Sequence, residues 1–273
     1  MNIETLDTHG FVAVRYPIHL RMRVQEAMNA WIRFCELPQH EKNMLAGGDR
    51  IEDFGYMLRG DRAANADSKE LFHLLQARER ELMAKAEGVT DRRAVEFIRA
   101  VDVLIHSTKD LVREFAENVE ARYRCTGFID EVMNSSHLWT FRFLHYFGGE
   151  MLANAHADRL GFTLHLHESD SGGEYLGFDG AWKPWPVNHE QTIIFPSIGL
   201  QHRTESQVKA LWHRVVPTEK TKADGRYAMV AFIDFPQARE WDKHKYPRVQ
   251  DFAPGFNYGM PFSKLDSYFK TAA

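Results

Sequence analysis

Cysteine is scarce in this chain of 273 residues: there are two, Cys35 and Cys125, with no CxxC pair between them. A disulfide framework is thereby excluded, and a reducing, cytoplasmic setting is the natural expectation. No apolar run reaches the roughly eighteen residues that a spanning helix needs. The first residues, Met1 to Asp7, carry neither a basic n-region nor an apolar h-region, so no secretory signal is expected. Charge of one sign is not in excess. Lys and Arg number 34 against 38 Asp and Glu, a net charge of -4, which argues against nucleic acid or a membrane as the partner. Internal repeats and low-complexity tracts are absent too.

What is present is an ordinary globular composition, 44% hydrophobic and 26% charged. A chain of this length can bury one substantial core with a helical extension, and its oligomeric state stays open. Its character changes near residue 135. Residues 1–135 are mostly helical in pattern. Leu20, Val24, Ala27, Met28, Trp31, Ile32 and Cys35 recur three and four apart from His19 to Glu36, and Leu37-Pro38 stops the run. Phe97, Val101, Leu104, Ile105, Leu111, Val112, Phe115 and Val119 extend the same period from Asp91 to Tyr123, as one or two long helices.

Residues 136–236 read as a β-rich core. The strand candidates are Trp139 to Phe147, Phe162 to Leu166, Thr192 to Phe195, Ala210 to Val216 and Tyr227 to Phe235. Phe178-Asp179-Gly180-Ala181-Trp182 carries an Asp-Gly hairpin signal. Short strands at this spacing fit a jelly-roll or barrel braced by the leading helices. Residues 237–273 hold Trp241, Tyr246, Phe252, Phe256, Tyr258 and Phe262, too aromatic for disorder, and read as a tail packing over the core.

Eight of the 14 histidines fall between His137 and His213. His156 and Asp158 are two apart, which on a strand puts both side chains on one face. His213, in a β-type segment between bulky neighbours, can complete a 2-His-1-carboxylate set, the arrangement of non-haem Fe(II) oxygenases. His202 is a rival, but it sits beside a turn expected at Ser197-Ile198-Gly199. Arg226 follows, and a guanidinium fork suits a dicarboxylate. His165-Leu166-His167, with Glu168 and Glu174 behind, is a competing cluster similar to cupin metal sites, though its spacings fit that motif poorly.

His156-Ala157-Asp158-Arg159-Leu160-Gly161-Phe162-Thr163-Leu164 follows an H-T-D-x-x-x-[LI]-T-L pattern. Gly180-Ala181-Trp182-Lys183-Pro184-Trp185-Pro186 follows G-x-W-x-x-V-P. Ile198-Gly199, and Thr204 nine residues before His213, keep the spacing of I-G-D and of T-N-G-x-Y-x-S-x-x-H-R-V. Gly10-Phe11, Leu37-Pro38 with Glu41-Lys42, Gly55-Tyr56 and Lys69-Glu70-Leu71-Phe72 add weaker matches before residue 135. Over most of its length the chain resembles the isopenicillin N synthase-like 2-oxoglutarate/Fe(II)-dependent dioxygenases.

That resemblance implies an α+β fold with a double-stranded β-helix (jelly-roll) core. It implies Fe(II) on His156, Asp158 and His213, with His165, His167 and His202 not ligands. It also implies 2-oxoglutarate and O2 as cosubstrates, Arg226 holding the distal carboxylate, and oxidative decarboxylation coupled to C–H hydroxylation. Ala228 stands where the family's R-x-S motif has its serine, and Tyr146 is positioned to supply a phenolic donor instead. Arg226 is expected across a single hairpin, Pro217 to Gly225, from His213. Tyr56, Arg59, Arg142 and Arg203 are candidates for a substrate pocket, the substrate being a small polar metabolite such as an amino acid or N-substituted amino acid. An iron oxidase of the same fold without 2-oxoglutarate, and a cupin-like metal isomerase or binding protein, are the alternatives.

Overall fold

The computed structural model describes residues 1–47, 54–59, 68–148 and 153–236. The aromatic tail from residue 237 onward lies outside the described residues.

In chain order the elements are α1 (Thr5–His9), β1 (Val12–Arg15), α2 (Ile18–Cys35), α3 (Gln39–Met44), β2 (Gly55–Arg59), β3 (Lys69–Leu75), α4 (Glu79–Glu87), α5 (Arg93–Tyr123) and α6 (Phe128–Asn134). Then follow β4 (Thr140–Tyr146), β5 (Ala153–His156), β6 (Phe162–Glu168), β7 (Gly173–Leu176), β8 (Trp182–Pro184), β9 (Gln191–Pro196), α7 (Ile198–Arg203), β10 (His213–Val215), α8 (Glu219–Asp224) and β11 (Arg226–Ile233). Two sheets form. The major sheet runs β1-β9-β6-β11-β4-β3-β2 and the minor one β5-β10-β7-β8, both antiparallel. The mixed helix-and-sheet architecture is the double-stranded β-helix class expected from the sequence.

The region before residue 135 is mostly helical, yet it gives β1, β2 and β3 to the major sheet. α5 is one continuous helix, and its three- and four-residue spacing buries Phe97, Ile98, Val101, Leu104 and Ile105. It packs with α2 on the outer face of the sheet. Trp31 and Phe34 of α2 lie 5.3 Å and 5.0 Å from Phe97, which in turn meets Phe143 of β4 edge-on at 5.0 Å. Each such fully buried ring contributes about 1.5–3 kcal/mol. Trp31 Nε1 donates to the Leu144 carbonyl at 3.2 Å, which fixes the helix against the strand without orphaning the indole.

Strand alternation then sends the opposite set of β4 and β11 side chains inward. Phe143 and Met229 face the helices; Leu144, Tyr146, Arg226 and Ala228 face the other way. The Asp-Gly hairpin signal is realised between β7 and β8. Two expectations fail here. Ala210 to Val216 is a strand only from His213, because the Ala210 and Leu211 amides go to Gln201 Oε1 and the Pro196 carbonyl and not to a ladder. Ser197-Ile198-Gly199 opens the helix α7 and is not a simple turn.

Candidate metal centre and cosubstrate cavity

A cavity of about 470 Å³, counting its mouth, lies between the two sheets. His156 ends β5 and pairs directly with His213 of β10, so two imidazoles stand side by side with ring centroids 4.4 Å apart. Asp158 is not on the strand, contrary to the sequence reading. It lies two residues past the end of β5, where its carbonyl accepts from the Ile198 amide and its Oδ2 accepts from the Thr163 hydroxyl at 2.6 Å. The carboxylate is thus aimed by two neighbouring elements and not by strand parity. Its Oδ1 lies 3.7 Å from His156 Nε2 and 3.9 Å from His213 Nε2, and one ligand atom from each residue falls within 4.8 Å of the others.

The electrostatics suit a cation. Burial raises the Asp158 carboxyl, but the His213 and His156 imidazoles and the Thr163 hydroxyl outweigh it and hold the group below the usual carboxylate range. Burial pushes His213 down, against the pull of Asp158, so the ring offers a lone pair. His213 Nδ1 lies 3.2 Å from the Leu211 carbonyl. A proton held there leaves Nε2 as the ligand atom, the usual way a protein fixes a metal-binding tautomer.

Arg226 opens β11 in the facing sheet, opposite Tyr146 of β4. The expected hairpin between His213 and Arg226 is not formed. β10 and β11 belong to different sheets, and the link between them contains α8, closed by a capping box between Thr218 and Thr221. The two residues therefore face each other across the cavity. The Arg226 side chain is fully buried; its Nε donates to the Asp170 carbonyl at 3.1 Å and its Nη2 pairs with Glu168. Nη1 is buried with no partner among the described residues. An orphaned charged donor costs on the order of 1–3 kcal/mol or more, so this nitrogen calls for an acceptor. A carboxylate in the cavity would supply one. Ala228, two residues on, lines the same wall without a hydroxyl.

The sequence reading underrated Glu168. It accepts from Trp185 Nε1 at 3.0 Å and lies 3.2 Å from His165 Nε2, besides pairing with Arg226. Burial raises its carboxyl, but the His165 hydrogen bond and the Arg226 charge overcome this and keep it ionised. Trp185 closes over the site because residue 173 is glycine: a Cβ there would sit 1.9 Å from the indole nitrogen. No sequence signal short of the strand pairing could have joined these three residues.

His165 lines the cavity and His167 is buried, with ring centroids 5.6 Å between His167 and His189, and neither belongs to the donor group around Asp158. Glu174 is engaged with Arg214 at 2.7 Å, so the cupin-like cluster does not assemble. Of the substrate-pocket candidates, Arg142 lines the cavity. Tyr56 does not: it is buried on the helix-facing side, its hydroxyl donating to Glu70 at 2.9 Å, because its strand parity matches Phe72 and Phe143. Arg203 is also misplaced, since its Nε pairs with Glu131 at 2.9 Å and its Nη2 with the Thr126 carbonyl, tying α7 to the α6 region. Arg59 shares the inward row of Lys69, Tyr146 and Arg226 but sits at the exposed end of the edge strand, outside the lining.

Comparison with known proteins is consistent with this geometry. Residues 140–235 match the family model of the 2OG-Fe(II) oxygenase superfamily. A search of curated proteins gave no match. Among solved structures, a Caulobacter crescentus protein assigned to the 2OG-Fe(II) oxygenase family is 24% identical, covering 85% of this chain and 79% of that one, with a TM-score of 0.67. A Neurospora crassa protein in complex with alpha-KG and 5-formyluracil is 17% identical over 84% of this chain and 76% of that one, TM-score 0.67. Dioxygenase for auxin oxidation 1 from Arabidopsis thaliana, as a binary complex with 2-oxoglutarate, is 18% identical over 84% and 85%, TM-score 0.61. At these identities the likeness is one of fold.

Proposed function

We propose that this chain, whose residues 140–235 match the family model of the 2OG-Fe(II) oxygenase superfamily, is a dioxygenase working with Fe(II), 2-oxoglutarate and O2, and that its cavity divides the work as follows. His156, Asp158 and His213 hold the metal. Arg226 Nη1 takes the distal carboxylate of 2-oxoglutarate, with Tyr146 beside it in the register as a further donor. The substrate is a small polar metabolite, an amino acid or N-substituted amino acid, hydroxylated at a C–H bond.

The observation that carries this reading is the pairing of two features in one cavity: three converging candidate ligand atoms on one wall and, on the other, a buried guanidinium nitrogen with no partner among the described residues. Bound Fe(II), with 2-oxoglutarate and O2, supplies the oxidising power that side chains lack. The chain's own residues do the rest. The Leu211 carbonyl presents His213 through Nε2, Thr163 holds Asp158 toward the imidazoles, and Glu168 fixes Arg226 by one nitrogen so that another faces inward. Leu144, Val230, Phe232 and Trp185 keep the walls apolar and limit water.

Aerobic incubation with Fe(II) and 2-oxoglutarate should release succinate, slowly without substrate and faster with it. His213→Ala should lose Fe(II) binding, measured by metal analysis after desalting, because two ligands remain. His202→Ala should retain it. The reverse pattern would sink the ligand assignment.

A further inference from the structure

Three side chains of the cavity wall converge on one oxygen behind it. Arg226 Nη2 pairs with Glu168 Oε2, Trp185 Nε1 donates to the same atom at 3.0 Å, and His165 Nε2 lies 3.2 Å from it. Arg226, Trp185 and His165 all line the cavity, whereas Glu168 is not among its lining residues. The side chains of Arg226 and Glu168 are both almost inaccessible, so water screens neither charge. The guanidinium that faces the cavity is thus half of a buried ion pair, with its countercharge built into the protein.

That pairing changes what Nη1 offers. The nitrogen has no partner among the described residues, and any acceptor oxygen brought to it removes the cost of an orphaned buried donor. A carboxylate also brings a charge, attracted by Arg226 and repelled by Glu168. The two protein charges are in direct contact within a dry wall, so the repulsion cancels a large part of the attraction. The carboxylate must in addition give up its hydration, which costs far more for an ion than for a neutral carbonyl. A ketone oxygen gains the hydrogen bond and feels little of either charge. Hydrogen bonding to Nη1 therefore survives the presence of Glu168, and recognition of charge is what Glu168 weakens.

We propose, resting on the oxygenase reading above, that Glu168 is a specificity-determining residue which offsets Arg226 and so lowers the charge selectivity of the cosubstrate site. The class of cosubstrate is then 2-oxo acids whose far end carries a hydrogen-bond acceptor, charged or uncharged, with 2-oxoglutarate one member of it.

The test is titration calorimetry on the full chain loaded with Zn(II), a redox-inert stand-in, at pH 8, above the ordinary histidine range. Three acids are compared: 2-oxoglutarate, 2,5-dioxohexanoate, in which a methyl ketone replaces the far carboxylate, and 2-oxohexanoate, which lacks the far acceptor. In the unaltered protein 2,5-dioxohexanoate should bind within about tenfold of 2-oxoglutarate, and 2-oxohexanoate about tenfold or more weaker than either, since it leaves Nη1 orphaned. Glu168→Gln keeps an oxygen that the same donors can reach and removes the charge. It should widen the gap between 2-oxoglutarate and 2,5-dioxohexanoate about tenfold or more, a ratio that a merely structural role would not move. Trp185→Phe, which removes one donor to Glu168 and no charge, should leave that ratio unchanged. A preference for 2-oxoglutarate beyond about a hundredfold in the unaltered protein overturns the proposal, even where Glu168→Gln fails to fold. So does a ratio that a folded Glu168→Gln leaves unmoved, and in that case the oxygenase reading stands. If none of the three acids binds, that reading falls and the proposal falls with it.

Discussion

Two of the three guanidinium nitrogens of Arg226 are held inside the protein, by Asp170 and Glu168, and the third is buried without a partner among the described residues. A dicarboxylate bound there meets one directed N–H of a desolvated cation, not the two-pronged fork that the sequence suggested. The bond is still charge-assisted and dry, so its removal should cost several kcal/mol, about a hundredfold in affinity. Arg226→Ala is therefore expected to raise the 2-oxoglutarate concentration for half-maximal succinate release about a hundredfold, while Fe(II) content stays unchanged. Ala228→Ser should be neutral or mildly favourable, since it adds a hydroxyl on the same wall. Tyr146→Phe should show a smaller loss of the same kind. An unchanged 2-oxoglutarate requirement in Arg226→Ala would mean that another residue holds the cosubstrate.

At the level of elements, one buried ion pair joins the helical region to the sheet. Lys42 Nζ of α3 lies 2.6 Å from Glu70 Oε2 of β3, both side chains almost inaccessible, and donates also to the Cys35 carbonyl at the end of α2. Tyr56 of β2 and His145 of β4 complete the shell around Glu70 at 2.9 Å and 2.8 Å. Removing one partner strands the other charge, at about 3–5 kcal/mol. Glu70→Gln and Lys42→Met should each lower stability by that amount in urea unfolding, and the double variant should lose much less than the sum. Additive losses would show that the pair is not coupled. The sequence held both halves of this contact, in Leu37-Pro38 with Lys42 and in Lys69-Glu70-Leu71-Phe72, and nothing in it linked them. Periodicity was enough for α2, α5 and most strands, because burial of one face is a local pattern. His156, Asp158 and His213 were legible as a candidate donor set, which the fold brings together, because residue type and order carry the chemistry. Tyr56, Arg203 and the His213–Arg226 link were misjudged for another reason. Which face a strand residue takes, and which sheet a strand joins, are set by register with partners far away in sequence, and Glu168, Trp185 and Gly173 meet only through that register.

For the whole molecule, two buried groups are among those that set how the fold responds to acid. Burial, then the nearby His189 and His165, hold the His167 imidazole down at about 4, below its ordinary 6.5. The unfolded chain therefore takes up this proton first, and the stability due to neutral His167 is complete above pH 6.5 and lost as pH falls toward 4. Glu70 acts lower. Burial would raise it, but hydrogen bonds from His145 and Lys42 outweigh that and bring it to about 2, from 4.5. Its contribution is complete above pH 4.5 and lost as pH falls toward 2. Each displacement corresponds to about 3 kcal/mol at one unit per 1.36 kcal/mol. Stability measured by urea midpoint should thus fall in two successive windows, from pH 6.5 to 4 and from pH 4.5 to 2. Burial holds His213 down as well, so the comparison that isolates the effect is with His167→Asn. That variant should lose less stability than the unaltered protein between pH 6.5 and 4 and run parallel to it below. Equal slopes in the upper window would show that His167 is protonated as readily in the folded protein as in the unfolded chain.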